Sequence, residues 1–547
     1  MNSQKSVPQR KSAETSFEFE PPAKKSFGMI LCALALALFV NPQAHAQVEW
    51  PEFGQNNSNT SGNHLETAIS PTTVANLKMK WKFTTMGDVS ARPAVVDGVV
   101  YFPDFGGYLW AVNAATGKAI WGKKLGSYVT DPATGKPFKK LVYARATPAY
   151  WDGAIYIGLH AAKGYFLAIE ASSGKLLWKK QVETVDPEAT ITASASIANG
   201  VVYVGTASDQ EGQPGGGAKT ARGSLSALEA STGKVLWKTY MAPTGYSGAA
   251  IWGSNPVVSP SLGLVFVGTG DNYAAPTDPK YVSCIHAGGI AADCQSEENH
   301  ADSIVALSIS SGSVKWAQRM EDWPENADQD GSDFWNLSCP DHVAGCPTPE
   351  GPDYDFGSAP NLITYAGPSG STTILGAGQK SGLYYAFNPE TGELLWQTQV
   401  GPGSSLSGIM WGSATDGERI YVAISDVAGI RYAGGTAGSW AALDPANGKI
   451  LWQVPDPYGA WGIGPVAVAN GVVYVPSTAG KATDRNMIAL NAANGDTLWS
   501  FASGATTIAG AAILDGQVYW GTGYTHIPLP EFTGGVNAFY AFSINGK

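Results

Sequence analysis

The sequence predicts an all-β fold, a single eight-bladed β-propeller. Three observations carry that prediction: a module repeated at fixed internal spacing, a distance between modules that suits four short strands, and an N-terminal strand that precedes the first complete repeat. The module is an Ala followed six residues later by Gly and ten residues later by Trp. Its seven copies are Ala111-Gly117-Trp121, Ala168-Gly174-Trp178, Ala227-Gly233-Trp237, Ala306-Gly312-Trp316, Ala386-Gly392-Trp396, Ala442-Gly448-Trp452 and Ala489-Gly495-Trp499. Each reads as a strand, a turn and the start of a second strand: small Ala allows close packing, Gly supplies the turn's positive φ, and Trp bridges one sheet to the next. Successive Trp residues lie 57, 59, 79, 80, 56 and 47 residues apart, which suits propeller blades better than a solenoid.

Between modules, runs such as RPAVVDGVVYFP and GPVAVANGVVYVP read as the two inner strands of each blade, joined at Asp-Gly or Asn-Gly hairpins. A degenerate eighth module, Ala541 to Gly546, lacks its Trp. The strand Leu77 to Thr85 is therefore expected to complete the last blade and close the ring, which hides the sheet edges without recourse to helices.

A closed propeller absorbs nearly all of the 547 residues, so residues 47–547 are read as one domain. Residues 1–46 stand apart: a polar stretch ending in Lys24-Lys25, the apolar run MILCALALALFV, and Ala44-His45-Ala46 at a cleavage-like position. That pattern is a secretory signal, too short for a membrane span, and implies an exported, periplasmic protein starting near Gln47. Leu31 stands before Cys32 where a lipoprotein signal wants a small residue. The remaining cysteines form two close pairs, Cys284 with Cys294 and Cys339 with Cys346, read from proximity as local disulfides; a zinc site is the alternative and lacks CxxC spacing. A net charge of −11 argues against nucleic-acid binding.

The two longest intervals, 237–316 and 316–396, hold both cysteine pairs and a run of acidic residues. Propellers carry function in the loops at one end of the channel, so the site is sought there. In GPDYDFGSAPNL, Asp353 and Asp355 point the same way if the segment is extended and repel unless a cation lies between them. A divalent metal is the simplest answer and a solvated acidic loop the other. Trp252, Trp411 and Trp461 fall outside the module register in Gly-flanked stretches, which suit either ligand stacking or ordinary turns.

The module, the eight blades, Trp50-Pro51-Glu52-Phe53-Gly54, GTGDNY and PDYDFGSAPNL resemble the pyrroloquinoline-quinone (PQQ) dependent alcohol dehydrogenases, in particular the polyvinyl-alcohol dehydrogenase branch. The resemblance implies a propeller that binds PQQ and Ca²⁺, with a lanthanide as the alternative ion. It makes Asp353 the general base and Lys380, in GQKSG, the cation beside the quinone oxygens. Arg145 then pairs with a PQQ carboxylate, Trp252 forms the floor under the cofactor, and Thr192 and Ser208 supply hydroxyl contacts; Trp461, from its Gly-flanked stretch, is taken as a further cofactor contact. Glu211, Asp271, Asn272, Asp353 and Asp355 are the implied metal ligands, Asp355 being the carboxylate associated with lanthanide-using relatives.

Two departures stand out. The adjacent Cys-Cys pair that covers the quinone in many relatives is absent around Lys139-Lys140, and no C-x-x-C-H haem motif occurs, so electrons must pass to a separate acceptor such as soluble cytochrome c. The reading is thus an exported dehydrogenase oxidising a secondary or polymeric alcohol to the carbonyl. A non-catalytic propeller scaffold of the outer-membrane assembly type is the rival, and a polysaccharide hydrolase or lyase a third class.

Overall fold

Eight antiparallel sheets follow one another along the chain and form the blades of an eight-bladed propeller in this computed structural model. It describes residues 49–211, 219–253, 255–321, 332–334, 338–339, 343–367 and 370–547; the signal segment expected over residues 1–46 lies outside them. In the first blade the strands run Ala94–Val96, Val99–Pro103, Tyr108–Asn113 and Ala119–Lys124, from channel to rim. The inner hairpin turns on Asp97 and Gly98 at φ of 51° and 72°, the doubly positive geometry that Asp-Gly favours because it matches strand twist.

The register explains the module. Each module Ala lies directly opposite its own Trp on the neighbouring strand, Ala111 opposite Trp121 and Ala386 opposite Trp396, with a bulge immediately after it. The indole then reaches the next blade and donates to a backbone carbonyl there, Trp121 to Ala171 at 2.8 Å and Trp396 to Pro445 at 3.1 Å. Its ring also covers the next module's Gly: a Cβ on Gly233 would stand 2.6 Å from Trp178, and one on Gly392 2.7 Å from Trp316. Gly is therefore required twice, for its positive φ and for the flat space the indole occupies.

Ring closure follows the expected route. Leu77–Thr84 pairs antiparallel with Ala538–Ile544 and places Trp81 opposite Ala541. The Trp missing from the eighth module is thus Trp81, supplied from the other end of the domain, and it donates to Ala114 in the first blade at 2.8 Å.

Two features were not anticipated. The interval before Trp316 carries short helices, Pro279–His286 and Ala291–Cys294, the first capped by Asp278 and the two tied by the Cys284–Cys294 disulfide; Cys339–Cys346 forms the second bridge. The segment from Trp50 to Asn63 fills the channel beside the innermost strands. Trp50 exchanges backbone hydrogen bonds with Val95, and the carbonyls of Pro51, Asn57, Ser58, Thr60 and Ser61 accept from Tyr150, Val258, Leu362, Thr415 and Val468, one from each of five further blades. These bonds satisfy inner-edge groups that a bare channel would leave open. Buried Arg92 locks the plug by donating to the Phe53 carbonyl at 2.6 Å, to Ser61 Oγ at 2.9 Å and to the Val466 carbonyl at 2.8 Å.

Candidate active site

The site is assembled on the loops at one mouth of the channel, around a lysine. Lys380 sits in the turn between strands Gly370–Gly378 and Leu383–Phe387, and its backbone N–H donates to the Asp355 carbonyl at 3.1 Å. Its ammonium lies 2.7 Å from Asp353 Oδ1 and 3.0 Å from Asp355 Oδ2. The cation expected between the two aspartates is therefore first of all Lys380. Asp353 takes a left-handed backbone conformation, φ 62°, and the Asp333 carboxylate accepts the N–H groups of Asp353 and Tyr354 at 3.0 and 2.5 Å, which fixes how the pair is presented.

Asp355 ties three segments together. Trp252 Nε1 donates to its Oδ2 at 2.7 Å and the Asp271 N–H to its Oδ1 at 2.7 Å. The Lys380 ammonium also stands 5.1 Å from the centre of the Trp252 ring, a cation–π distance. Gly357 permits this approach, since a Cβ there would lie 2.8 Å from the indole.

Charge is out of balance. Asp271, Asp353 and Asp355 are buried and can bring one oxygen each within 4.8 Å of the others, a spacing that suits a metal ion. Burial pushes the Asp271 and Asp353 carboxyls well up, in Asp271 aided by Asp355 and Asp353, and in Asp353 against the pull of Lys380. Burial and then Asp355 push Glu211 up to about 7. Asp333 is also pushed up to about 7 by burial, against the two N–H groups it accepts, and Asp302 is raised by burial with Asp333 and Asp355 nearby. Burial alone would lower the Lys380 ammonium, but Asp353, Asp355 and Glu211 hold it well above its ordinary range.

Above this cluster opens a cavity of about 710 Å³. Arg145, Thr192, Ser208, Glu211, Trp252, Asp353 and Lys380 all line it, so the structure brings most of the sequence-derived residues to one place. Thr192 Oγ1 donates to the Trp252 carbonyl at 2.7 Å. Arg145 stacks on Trp411, 5.0 Å from its centre, and Trp411 meets Trp252 edge-on at 5.3 Å. A small cavity of about 40 Å³ is lined by Arg145, Thr192 and Trp411 together with Phe53 of the plug and Arg92.

Two residues are placed differently. The Asn272 amide donates to the Ser247 carbonyl at 2.8 Å and accepts from Asn299 at 2.7 Å, so its side chain serves the wall behind the carboxylates. Trp461 packs edge-on against Phe532 at 5.8 Å, and Trp411 is the second indole lining the cavity. Sequence reasoning missed Asp302, Asp333, His160, Tyr524 and His526. The last three line the cavity; Tyr143 Oη lies 2.9 Å from His526 Nδ1 and the Tyr143 ring stacks on His160 at 4.7 Å. Burial, then Arg145, pushes His160 down to about 2 and His526 to about 4, so both are neutral rings at neutral pH.

The donor set fits an anionic planar cofactor with a hard metal ion. Arg145 Nε and Asp271 Oδ2 are buried with no hydrogen-bond partner, one suited to a carboxylate and the other to a cation. The indole of Trp252, beside Lys380, supplies a flat face on the cavity wall.

The chain matches the PQQ_2 family, described as outer membrane protein assembly factor BamB, over residues 67–318 and 379–527. It is 29% identical to a polyvinylalcohol dehydrogenase of Pseudomonas sp, over 87% of this chain and 74% of that one. A polyvinylalcohol dehydrogenase of Sphingopyxis sp. (strain 113P3) is 28% identical over 88% of this chain and 74% of its own. Among solved structures, the quinohemoprotein alcohol dehydrogenase ADHIIG from Pseudomonas putida HK5 shares the fold, with a TM-score of 0.67 at 18% identity, covering 91% of this chain and 81% of that one.

Proposed function

We propose that this chain, which belongs to the PQQ_2 family, is a quinoprotein dehydrogenase that oxidises a secondary or polymeric alcohol to the carbonyl. The observation that carries the reading is Lys380 held between Asp353 and Asp355 against the Trp252 ring, on the wall of a cavity that also presents Arg145. The similarity to alcohol dehydrogenases, two of them polyvinylalcohol dehydrogenases, supports it.

Arg145 would hold PQQ through a carboxylate, Trp252 would offer it a flat apolar face, Trp411 backs Arg145, and Thr192 and Ser208 would supply hydroxyl contacts. Asp271, Asp355 and Glu211 offer hard oxygen ligands to Ca²⁺, or to a lanthanide, which the excess of carboxylates over cations favours electrostatically. Bound there, the quinone supplies the two-electron acceptor for carbinol oxidation. Asp353 takes the substrate's hydroxyl proton, and its ion pair with Lys380 aims the carboxylate; general-base help of this kind is worth about 10²–10⁴-fold. Lys380 brings a buried positive charge to the cavity wall, where it would stabilise negative charge on a bound acceptor. Residues 1–46 act as the export signal to the periplasm, and a separate acceptor, such as soluble cytochrome c, removes the electrons.

The test is reconstitution of the purified protein with PQQ and Ca²⁺ or a lanthanide, followed by a dye-linked assay over primary, secondary and polymeric alcohols. Metal-dependent PQQ binding and turnover are expected. A titration without any metal-dependent quinone spectrum would sink the reading in favour of a non-catalytic scaffold, to which the family's description as an outer-membrane assembly factor points. Against a scaffold stands the concentration of buried carboxyls, whose ionised forms repel one another beyond what Lys380 offsets, so that a bound cation would stabilise them.

A further inference from the structure

A second cavity, also of about 710 Å³, opens directly beside the first. The two share a wall at three places along the chain. His160 lines the first cavity and Ala161 the second; Thr190 lines the first and Ala189 the second; Asp209 lines both. Consecutive Cα atoms are about 3.8 Å apart and Asp209 is common to both, so the two cavities are neighbours within reach of one extended ligand.

The second cavity is chemically mixed. Phe138, Pro137, Pro187, Ala161 and Ala189 give it apolar walls, while Asp131, Glu188 and Asp209 accept hydrogen bonds and lysines donate them. Lys163 is paired with Asp131 at 3.1 Å, leaving Lys136, Lys139 and Lys140 opposite Glu188 and Asp209. A polyanion would meet those carboxylates and a polycation those lysines. An uncharged chain that alternates CH₂ with hydroxyl-bearing carbons satisfies both, because each hydroxyl donates and accepts while its methylenes cover Phe138 and the prolines.

Resting on the dehydrogenase reading above, we propose that the second cavity is an extension subsite that binds the unreacted part of a polyhydroxylated chain while one carbinol occupies the first cavity. Binding energy gathered there raises the efficiency for long substrates over short ones. His160, held neutral, and Asp209, 3.9 Å from its Nε2, form the threshold the chain crosses.

The experiment compares holoenzyme kinetics on propan-2-ol, pentane-2,4-diol and polyvinyl alcohols of increasing length, in the wild type and in two variants at exposed positions, Pro187→Trp and Lys139→Ala. The wild type should gain in kcat/KM with chain length and then level off. Pro187→Trp, which fills the cavity, should raise KM for the polymer about tenfold and leave propan-2-ol unchanged; Lys139→Ala should act in the same direction and more weakly. In parallel, calorimetry on cofactor-free protein should detect binding of a polyvinyl-alcohol oligomer to the wild type and its loss in Pro187→Trp. Turnover of propan-2-ol with no dependence on chain length would overturn the subsite while leaving the dehydrogenase reading intact, whereas absence of turnover on every alcohol would overturn that reading itself. A Pro187→Trp variant that slows reduction of soluble cytochrome c but not of dye, with the polymer KM unmoved, would also overturn the subsite and assign the cavity to the electron acceptor.

Discussion

Asp353 and Asp355 are chemically alike and two residues apart, yet their surroundings divide the labour between them. Asp355 accepts from Trp252, Lys380 and the Asp271 N–H, so it is the tie that holds the floor, the cation and a ligand loop together. Asp353 takes Lys380 on one oxygen only and lines the cavity. Asp353→Asn is therefore expected to keep PQQ and metal but lose turnover by about 10²–10⁴-fold, measured by dye reduction beside a quinone titration. Asp355→Ala should loosen Trp252 and weaken metal loading, shifting preference from a lanthanide toward Ca²⁺, with activity recovered at excess Ca²⁺. An active Asp353→Asn beside a fully loaded but dead Asp355→Ala would move the base to Asp355. This pair was legible because it is local in sequence and its motif resembles a family's. Asp302 and Asp333 were not: they reach the same cluster from separate loops, and no short-range pattern marks an aspartate buried by tertiary contacts. Asn272 was placed on adjacency alone, and its neighbour Asn299 claims its amide.

At the level of strands, the repeat was readable because each module carries its own reason: an Ala facing its Trp, and a Gly under the preceding Trp. The closure by Leu77–Thr84 was readable too, since the eighth module lacked a Trp and a partnerless strand with Trp81 preceded the first. The plug from Trp50 to Asn63 was not, because it is held by backbone bonds and irregular turns, which leave no periodicity in the side chains. Trp81 is nearly buried, stacks on Phe539 at 6.1 Å and covers Gly117, so Trp81→Ala removes the seam between the last blade and the first. It should lower the unfolding free energy by about 3–5 kcal/mol, read from urea denaturation. A loss under about 1 kcal/mol would mean that the strand pairing alone closes the ring.

Over the whole molecule, the unbalanced carboxyls link stability, pH and metal. Glu211 rises from an ordinary 4.5 to about 7 and Asp333 from 3.8 to about 7 when the chain folds without a metal. Between those values the folded protein retains protons that the unfolded chain has released, so the contribution of these two groups to stability falls as pH rises toward 7. A cation binds the ionised carboxylates and so competes with those protons; its affinity must rise over the same window. Thermal melts with and without saturating Ca²⁺ or a lanthanide isolate the effect, because groups remote from the site cancel in the difference. The metal-induced rise in Tm should be small at pH 5, larger at pH 6 and largest at pH 8, where ion at about 100-fold over its Kd adds about 2.7 kcal/mol. Asp271→Asn should flatten that dependence, since one of the competing protons is gone along with a ligand oxygen. An equal metal shift at pH 5 and pH 8 would show that the ion binds elsewhere and that the raised carboxyls are neutralised by protons alone.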